Sequence, residues 1–138
     1  AVHLYGCPLA EVKDLTVRGR DMGVMGQVQS ESVVSGCVIE KCSAGVYWYG
    51  TNGMLKTLTI SDCDTGVVTT SMSGSLEDVT CRRCKVGYNH AVATVQASNL
   101  VVEEVPKDGV AVLYGSGPLT LLNCPITPAE VKFDPKAI

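Results

Sequence analysis

Aromatic residues are scarce in this chain: 138 residues hold one Trp and one Phe. Charge is sparse as well, at 18% of residues, with 11 Lys plus Arg against 14 Asp plus Glu. A mildly acidic chain without a long basic run suits a phosphate backbone poorly, so no nucleic-acid partner is expected. Arg82, Arg83 and Lys85 form a small basic spot without a wider stripe. No apolar run reaches the eighteen or so residues of a membrane-spanning helix, and no membrane partner is expected. No Gly-rich phosphate loop, Gly-x-Ser-x-Gly elbow or zinc-type set of Cys-x-x-Cys pairs is present, so neither cofactor nor metal is expected. The start at Ala1-Val2-His3 has no initiator Met and no basic region followed by an apolar run. Its first residues already look like part of a repeat, which reads as a piece excised from a larger protein.

What the chain has is apolar content and glycine. Hydrophobic residues make up 46%, mean hydropathy is +0.21, and there are 14 Gly. This is core-forming material for one domain. Gly-plus-apolar pairs recur at Gly23-Val24, Gly45-Val46, Gly66-Val67, Gly87-Tyr88 and Gly109-Val110, at intervals of 21 or 22 residues. Ala1-Val2 fits one step earlier. Aligned columns follow: Leu15, Cys37, Leu58, Val79, Val101; then Val17, Ile39, Ile60, Cys81, Glu103; then Arg20, Cys42, Cys63, Cys84, Pro106; and Val33, Leu55, Leu76, Ala97, Leu119.

A period near 22 is too short for helical hairpin repeats. The apolar residues alternate at period two, as in Leu15/Val17, Leu58/Ile60 and Val110/Val112, which marks short strands with one buried face. Val, Ile, Thr and Tyr fill those strands, and Gly, Asp, Asn and Ser fall between them. A coil of about 22 residues cannot bury its own apolar side chains, so coils must stack into one continuous core. The fold class is all-β, a single-stranded parallel β-solenoid of about six coils of 21–22 residues.

The motif Leu-x-Ile-x-x-Cys-x-x-Gly-Val at Leu58 to Val67 resembles a coil of the right-handed parallel β-helix of the pectate-lyase-like class. The resemblance covers residues 1–126 and identifies no single family, because such coils serve lyases, hydrolases, epimerases, tailspikes, adhesins and intracellular recognition domains. Residues 127–138 break the pattern with Pro128 and Pro135 and read as a C-terminal cap, with Phe133 covering the last coil.

Cys42, Cys63 and Cys84 share a column, and Cys124 is placed in the same slot two coils later. Small thiols filling an inward turn are the plain reading; a metal line or inter-coil disulfides are the alternatives. An odd count of seven cysteines leans toward an intracellular, reducing compartment, while the fold analogy admits extracellular or virion settings. The column Lys41, Asp62, Arg83 alternates in sign, as a solvated turn ladder does. Asp62, Asp64 and Arg83 are the only loose imitation of the acidic cluster plus cation that the resemblance implies for a lyase. Glu103 and Glu104 are a second carboxylate pair without a supporting motif. His3 and His90 lie four coils apart and cannot share a metal.

With Val46 and Trp48 facing inward, Tyr47 and Tyr49 face outward. An exposed strip of Tyr5, Met25, Tyr47 and Tyr49 then runs over consecutive coils and suits sugar rings or a protein partner. The reading is a noncatalytic module that recognises a polysaccharide or a protein through a strand face. The alternatives are a fragment of a polysaccharide lyase or hydrolase, which leaves enzyme status open, and an oligomerising stalk of a tailspike or adhesin, which makes a homo-oligomer the partner.

Overall fold

The computed structural model describes residues 2–6, 9–27, 31–49 and 52–133. The chain winds through about six turns of parallel strands, each strand pairing with its equivalent one turn away. Three faces result. The first stacks Val2–Tyr5, Met22–Gln27, Ala44–Tyr49, the starts of Thr65–Arg82 and Val86–Ser98, then Val110–Ser116 and Val131–Phe133. The second stacks Leu9–Lys13, Glu31–Ser35, the start of Asn52–Ser61, the middle of Thr65–Arg82, the end of Val86–Ser98, and Leu119–Leu122. The third stacks Thr16–Arg18, Val38–Glu40, the ends of Asn52–Ser61 and Thr65–Arg82, and Val101–Glu103.

Single residues in the left-handed backbone region make two of the corners. One column is Asp14, Gly36, Thr57, Asp78, Asn99 and Asn123; the other is Gly19, Lys41, Asp62, Arg83 and Glu104, all at φ of 53° to 68°. One such residue turns the chain without interrupting the ladder, because its N–H still reaches the next coil. Asp14 donates to the Ser35 carbonyl and Asp62 to that of Arg82, both at 3.0 Å. Asn, Asp and Gly tolerate this conformation; a β-branched residue does not. Thr57 at φ 54° is therefore strained. Thr57→Asn is expected to raise the unfolding free energy by roughly 0.5–1 kcal/mol in urea denaturation.

At Gly36, Lys41, Asp62 and Arg83 the residue after the corner is a buried cysteine, which accounts for most of the cysteines. Cys37, Cys42, Cys63 and Cys84 each donate a thiol hydrogen to the carbonyl two residues back, at 3.3–3.6 Å. A small, weakly polar side chain fills the corner and satisfies a carbonyl there. Among the described cysteines all are free thiols; Cys7 lies outside the described residues.

With one exception the stacked columns match the sequence alignment over the first four coils; Ala1 lies outside the described residues. Val34, not Val33, pairs with Leu55. The fifth coil departs further. Gly87 aligns with Ala111 and not with Gly109, since Val86 pairs with Val110 and Tyr88 with Val112. A tight turn whose Gly109 N–H returns to the Pro106 carbonyl lengthens this coil. Leu100, Val102 and Leu121 thus take the core positions assigned to Val101, Glu103 and Leu119. Cys124 sits over Leu100, whose N–H donates to its sulfur at 3.4 Å. It belongs to the Cys37 column and not to that of Cys42. Both columns follow a left-handed corner, so their local sequences look alike, and the longer coil shifts the count. The tail adds a strand: Val131–Phe133 pairs with Val112 to Tyr114, and Phe133 meets the edge of the Tyr114 ring. Residues 134–138 lie outside the described residues.

The core is a stack of aliphatic ladders, Val24–Val46–Val67, Ile39–Ile60–Cys81 and Val34–Leu55–Leu76–Ala97, around one indole. Beyond Trp48 in the same inward column, polar side chains replace it: Thr69, then His90, then Tyr114. His90 is fully buried, and its Nε2 lies 3.2 Å from the Gly117 carbonyl, which can only accept. Nε2 therefore carries the hydrogen, Nδ1 accepts from the Tyr88 hydroxyl at 2.8 Å, and the Thr69 hydroxyl donates to Tyr88 at 2.7 Å. Burial holds the imidazole below its ordinary pKa and pushes the Tyr88 phenol up. The Gly117 and Ala93 carbonyls oppose the first shift, and the Tyr114 ring stacks on it. The unfolded chain then binds a proton that the folded chain refuses. Stability is full above the unfolded histidine value near 6.5 and falls as pH drops below it, by up to about 1.4 kcal/mol per pH unit. His90→Phe is expected to be less stable at pH 7.5 and to lose this slope in urea titrations between pH 7.5 and 5.

Candidate functional site

Outward residues of the first face form two columns. His3, Met25 and Tyr47 stack in one, and Tyr5, Gln27 and Tyr49 in the other. The inward assignment of Val46 and Trp48 holds, since both are fully buried. Tyr5 is 68% and Tyr49 41% exposed, while Met25 and Tyr47 are half-buried. The structure thus brings Tyr5, Met25, Tyr47 and Tyr49 to one outer surface over three coils. His3 Nε2 meets Gln27 Oε1 at 2.8 Å, and its ring lies edge-on to Tyr5.

The larger concavity is on the second face. An open groove of about 600 Å³ is lined by Ala10 and Glu11, Ser32 and Val33, Asn52 to Met54, and Ser73 to Ser75. Those residues come from four successive coils, so the groove runs along the solenoid axis for roughly 14 Å at the strand spacing. Its lining mixes Glu11, Val33 and Met54 with small residues such as Ala10, Ser32 and Gly74. At Gly53 the side chain is missing for a reason inside the core: a Cβ there would collide with the Trp48 indole nitrogen. Tyr49 stands three residues before Asn52 in the chain, and residues 50 and 51 lie outside the described residues.

The groove was legible only in part. The small residues Asn52-Gly53 and Ser73-Gly74-Ser75 fall in register on adjacent coils, yet each is an ordinary turn signal by itself. Their alignment on a strand face is what makes a depression.

Asp62, Asp64 and Arg83 lie elsewhere, at the corner after the third face. Arg83 binds both carboxylate oxygens of Asp62, at 2.8 and 3.0 Å, and reaches Glu104 at 3.0 Å. Arg82 grips Glu104 from the side. Lys41, Asp62, Arg83 and Glu104 are consecutive members of one corner column, so alternating signs meet along the stack. The Arg83 hydrogen bond holds the Asp62 carboxyl below the usual range, and Arg82 with Arg83 does the same to Glu104. A general acid needs the opposite shift. Asp64, with Asp21 and Lys41, lines a shallow depression beside them. Glu103 and Glu104 are chain neighbours, not carboxylates opposed across a groove.

Among the described residues no group of three or more His, Cys, Asp or Glu side chains is placed to hold a metal ion. No helix among them is long and apolar enough to cross a membrane.

No curated protein and no solved structure matches the chain. The family described as the right handed beta helix region matches residues 1–128. That match, with the parallel three-faced coil and its in-register core ladders, makes this chain a member of the right-handed β-helix family.

Proposed function

We propose that the chain is a noncatalytic β-helix module that binds a glycan along its second face, with Tyr49 and Tyr5 at the rim. The observation that carries this reading is the open groove over four coils. Its lining combines the Asn52 amide and the hydroxyls of Ser73 and Ser75 with the apolar faces of Val33 and Met54. Sugar rings present that same mixture, with hydroxyls at the edge and C–H groups on the face. Neighbouring tyrosines add ring surfaces that cost little conformational entropy to order. A repeating coil offers a repeating set of contacts, which suits a polymer. Glu11 is the one carboxylate among the described lining residues, so the groove itself does not supply the pair a glycosidase uses. The fragment-of-an-enzyme reading rests on Asp62, Asp64 and Arg83, two of which are engaged with each other.

Trp48 lies directly under the groove floor at Gly53, and the chain has no other tryptophan, so its emission reports on ligand there. Screening the chain on a glycan array, followed by fluorescence titration of the hits, is the test. Tyr49→Ala is expected to weaken binding roughly tenfold, about 1.4 kcal/mol, and Met54→Arg to abolish it, with circular dichroism unchanged. An array without hits, or hits indifferent to both substitutions, would overturn the reading.

A further inference from the structure

The first face differs from the other two in what it shows to solvent. Its strand segments, from Val2–Tyr5 to Val131–Phe133, hold Lys132 as the one Lys, Arg, Asp or Glu among their described residues. The second face carries Glu11, Lys13, Lys56 and Glu77 on its outer side, and the third Arg18, Glu40, Arg82 and Glu103. The central outward column of the first face reads His3, Met25, Tyr47, Val68, Asn89, Leu113 and Lys132, one residue per coil. Beside it stand Tyr49, 41% exposed, Thr70, and Val92, 51% exposed. A sheet face turned to water is ordinarily polar, and a contiguous apolar one is uncommon on a monomer.

We propose that this face is the interface of a homodimer, in which a second copy packs against it across a twofold axis that passes by Val68 and runs parallel to the strands. The central column is self-complementary under that rotation, which turns it end for end. Val68 is its middle member and meets its own copy on the axis. Met25 then faces Leu113 of the second copy, and the Tyr47 hydroxyl lies by the second copy's Asn89 amide. His3 and Lys132, the polar ends, fall at the rim and stay in water. The neighbouring column obeys the same rotation: Thr70 falls near the axis, and Tyr49 faces Val92. Sheets packed face to face keep their strands within about 30° of each other, so columns near the axis remain opposed. A twofold along the solenoid axis would instead set Lys132 against Lys132, and like charges directly opposite repel.

The dimensions of the face suffice for a dimer. Strands about 4.8 Å apart, rising about 3.3 Å per residue, make it a patch of roughly 500–600 Å² per copy, so a pair buries on the order of 1,000 Å², the lower bound for a specific interface. The dimer is therefore weak, with a dissociation constant of roughly 1–100 µM. An isologous interface uses the same patch on both copies, so association stops at two. The inference does not rest on the groove of the second face. Tyr49 figures in both readings, so the variants below leave it in place.

Sedimentation equilibrium of the chain from about 1 to 300 µM is the test. The expected mass climbs with concentration from the 14.5 kDa of one chain to twice that value. Val68→Arg opposes two guanidinium groups on the axis and is expected to weaken association at least about a hundredfold, with circular dichroism unchanged. Tyr47→Glu and Asn89→Lys should each weaken it too. The double variant should recover most of the affinity, because each new carboxylate then faces an ammonium of the second copy. Within one chain positions 47 and 89 stand two coils, about 10 Å, apart, so the recovery comes from the interface. This pair also serves if Val68→Arg fails to fold. A chain still monomeric at the top of the range, assemblies larger than two, or a dimer indifferent to Val68→Arg would each overturn the proposal. A double variant no tighter than its single parents would overturn the assigned axis, and the proposal with it.

Discussion

Trp48→Ala is expected to lower the unfolding free energy by about 3–5 kcal/mol, measured by urea denaturation with circular dichroism. The indole is the largest fully buried side chain, and the coils around it are built to its shape. Below it a Cβ at Gly26 would come within 2.7 Å of the ring, and across the corner Gly53 carries no side chain for the same reason. Removing the indole leaves a hole lined by two glycines, which have nothing to move into it. Trp48→Phe separates volume from polarity. The indole N–H has no hydrogen-bond partner among the described residues although it is fully buried, and such an orphan donor costs about 1–3 kcal/mol. Phe gives up some packing and removes the orphan, so its net cost should stay under about 1.5 kcal/mol. A Phe variant as unstable as the Ala variant would mean that Nε1 is paired in solution.

Gly45→Ala is expected to cost about 3 kcal/mol, near the upper end for overpacking, with Gly45→Val failing to fold. Gly23, Gly45, Gly66 and Gly87 stack at the corner where the third face gives way to the first. A Cβ on Gly45 would lie 2.6 Å from both the Gly66 carbonyl oxygen and Ile60 Cγ2. The oxygen belongs to the backbone of the next coil and cannot rotate away, so the coils must part locally. Among the described residues the column ends at Ala111, which carries a Cβ. A Gly45→Ala variant within 1 kcal/mol of the parent would show that coil spacing is softer than the ladders imply.

Period and alternation carried the architecture. Columns of Val, Leu, Ile and Gly at steps of 21 and 22 leave few ways to bury a chain of this length, and the inward placement of Val46 and Trp48 followed from parity alone. Parity also placed Tyr5, Met25, Tyr47 and Tyr49 on the outside. Register in the fifth coil did not follow. The turn at Pro106 to Gly109 adds residues without marking where they enter, and Gly109-Val110 imitates the repeat it has slipped from. Cys124 was misplaced by the same insertion.

Repeat period and turn residues alone imply a stack of short parallel strands with one continuous core, because hydrophobic period and turn chemistry are local properties repeated many times. Which side chains meet depends on how the coils pack. The groove exists because Asn52, Gly53, Ser73 and Gly74 come together from different coils over one indole. Asp62 is bound by Arg83 because residues 21 apart in sequence are one strand spacing apart in space. Such contacts depend on register, and register is set by the packing of whole coils, which no single repeat encodes.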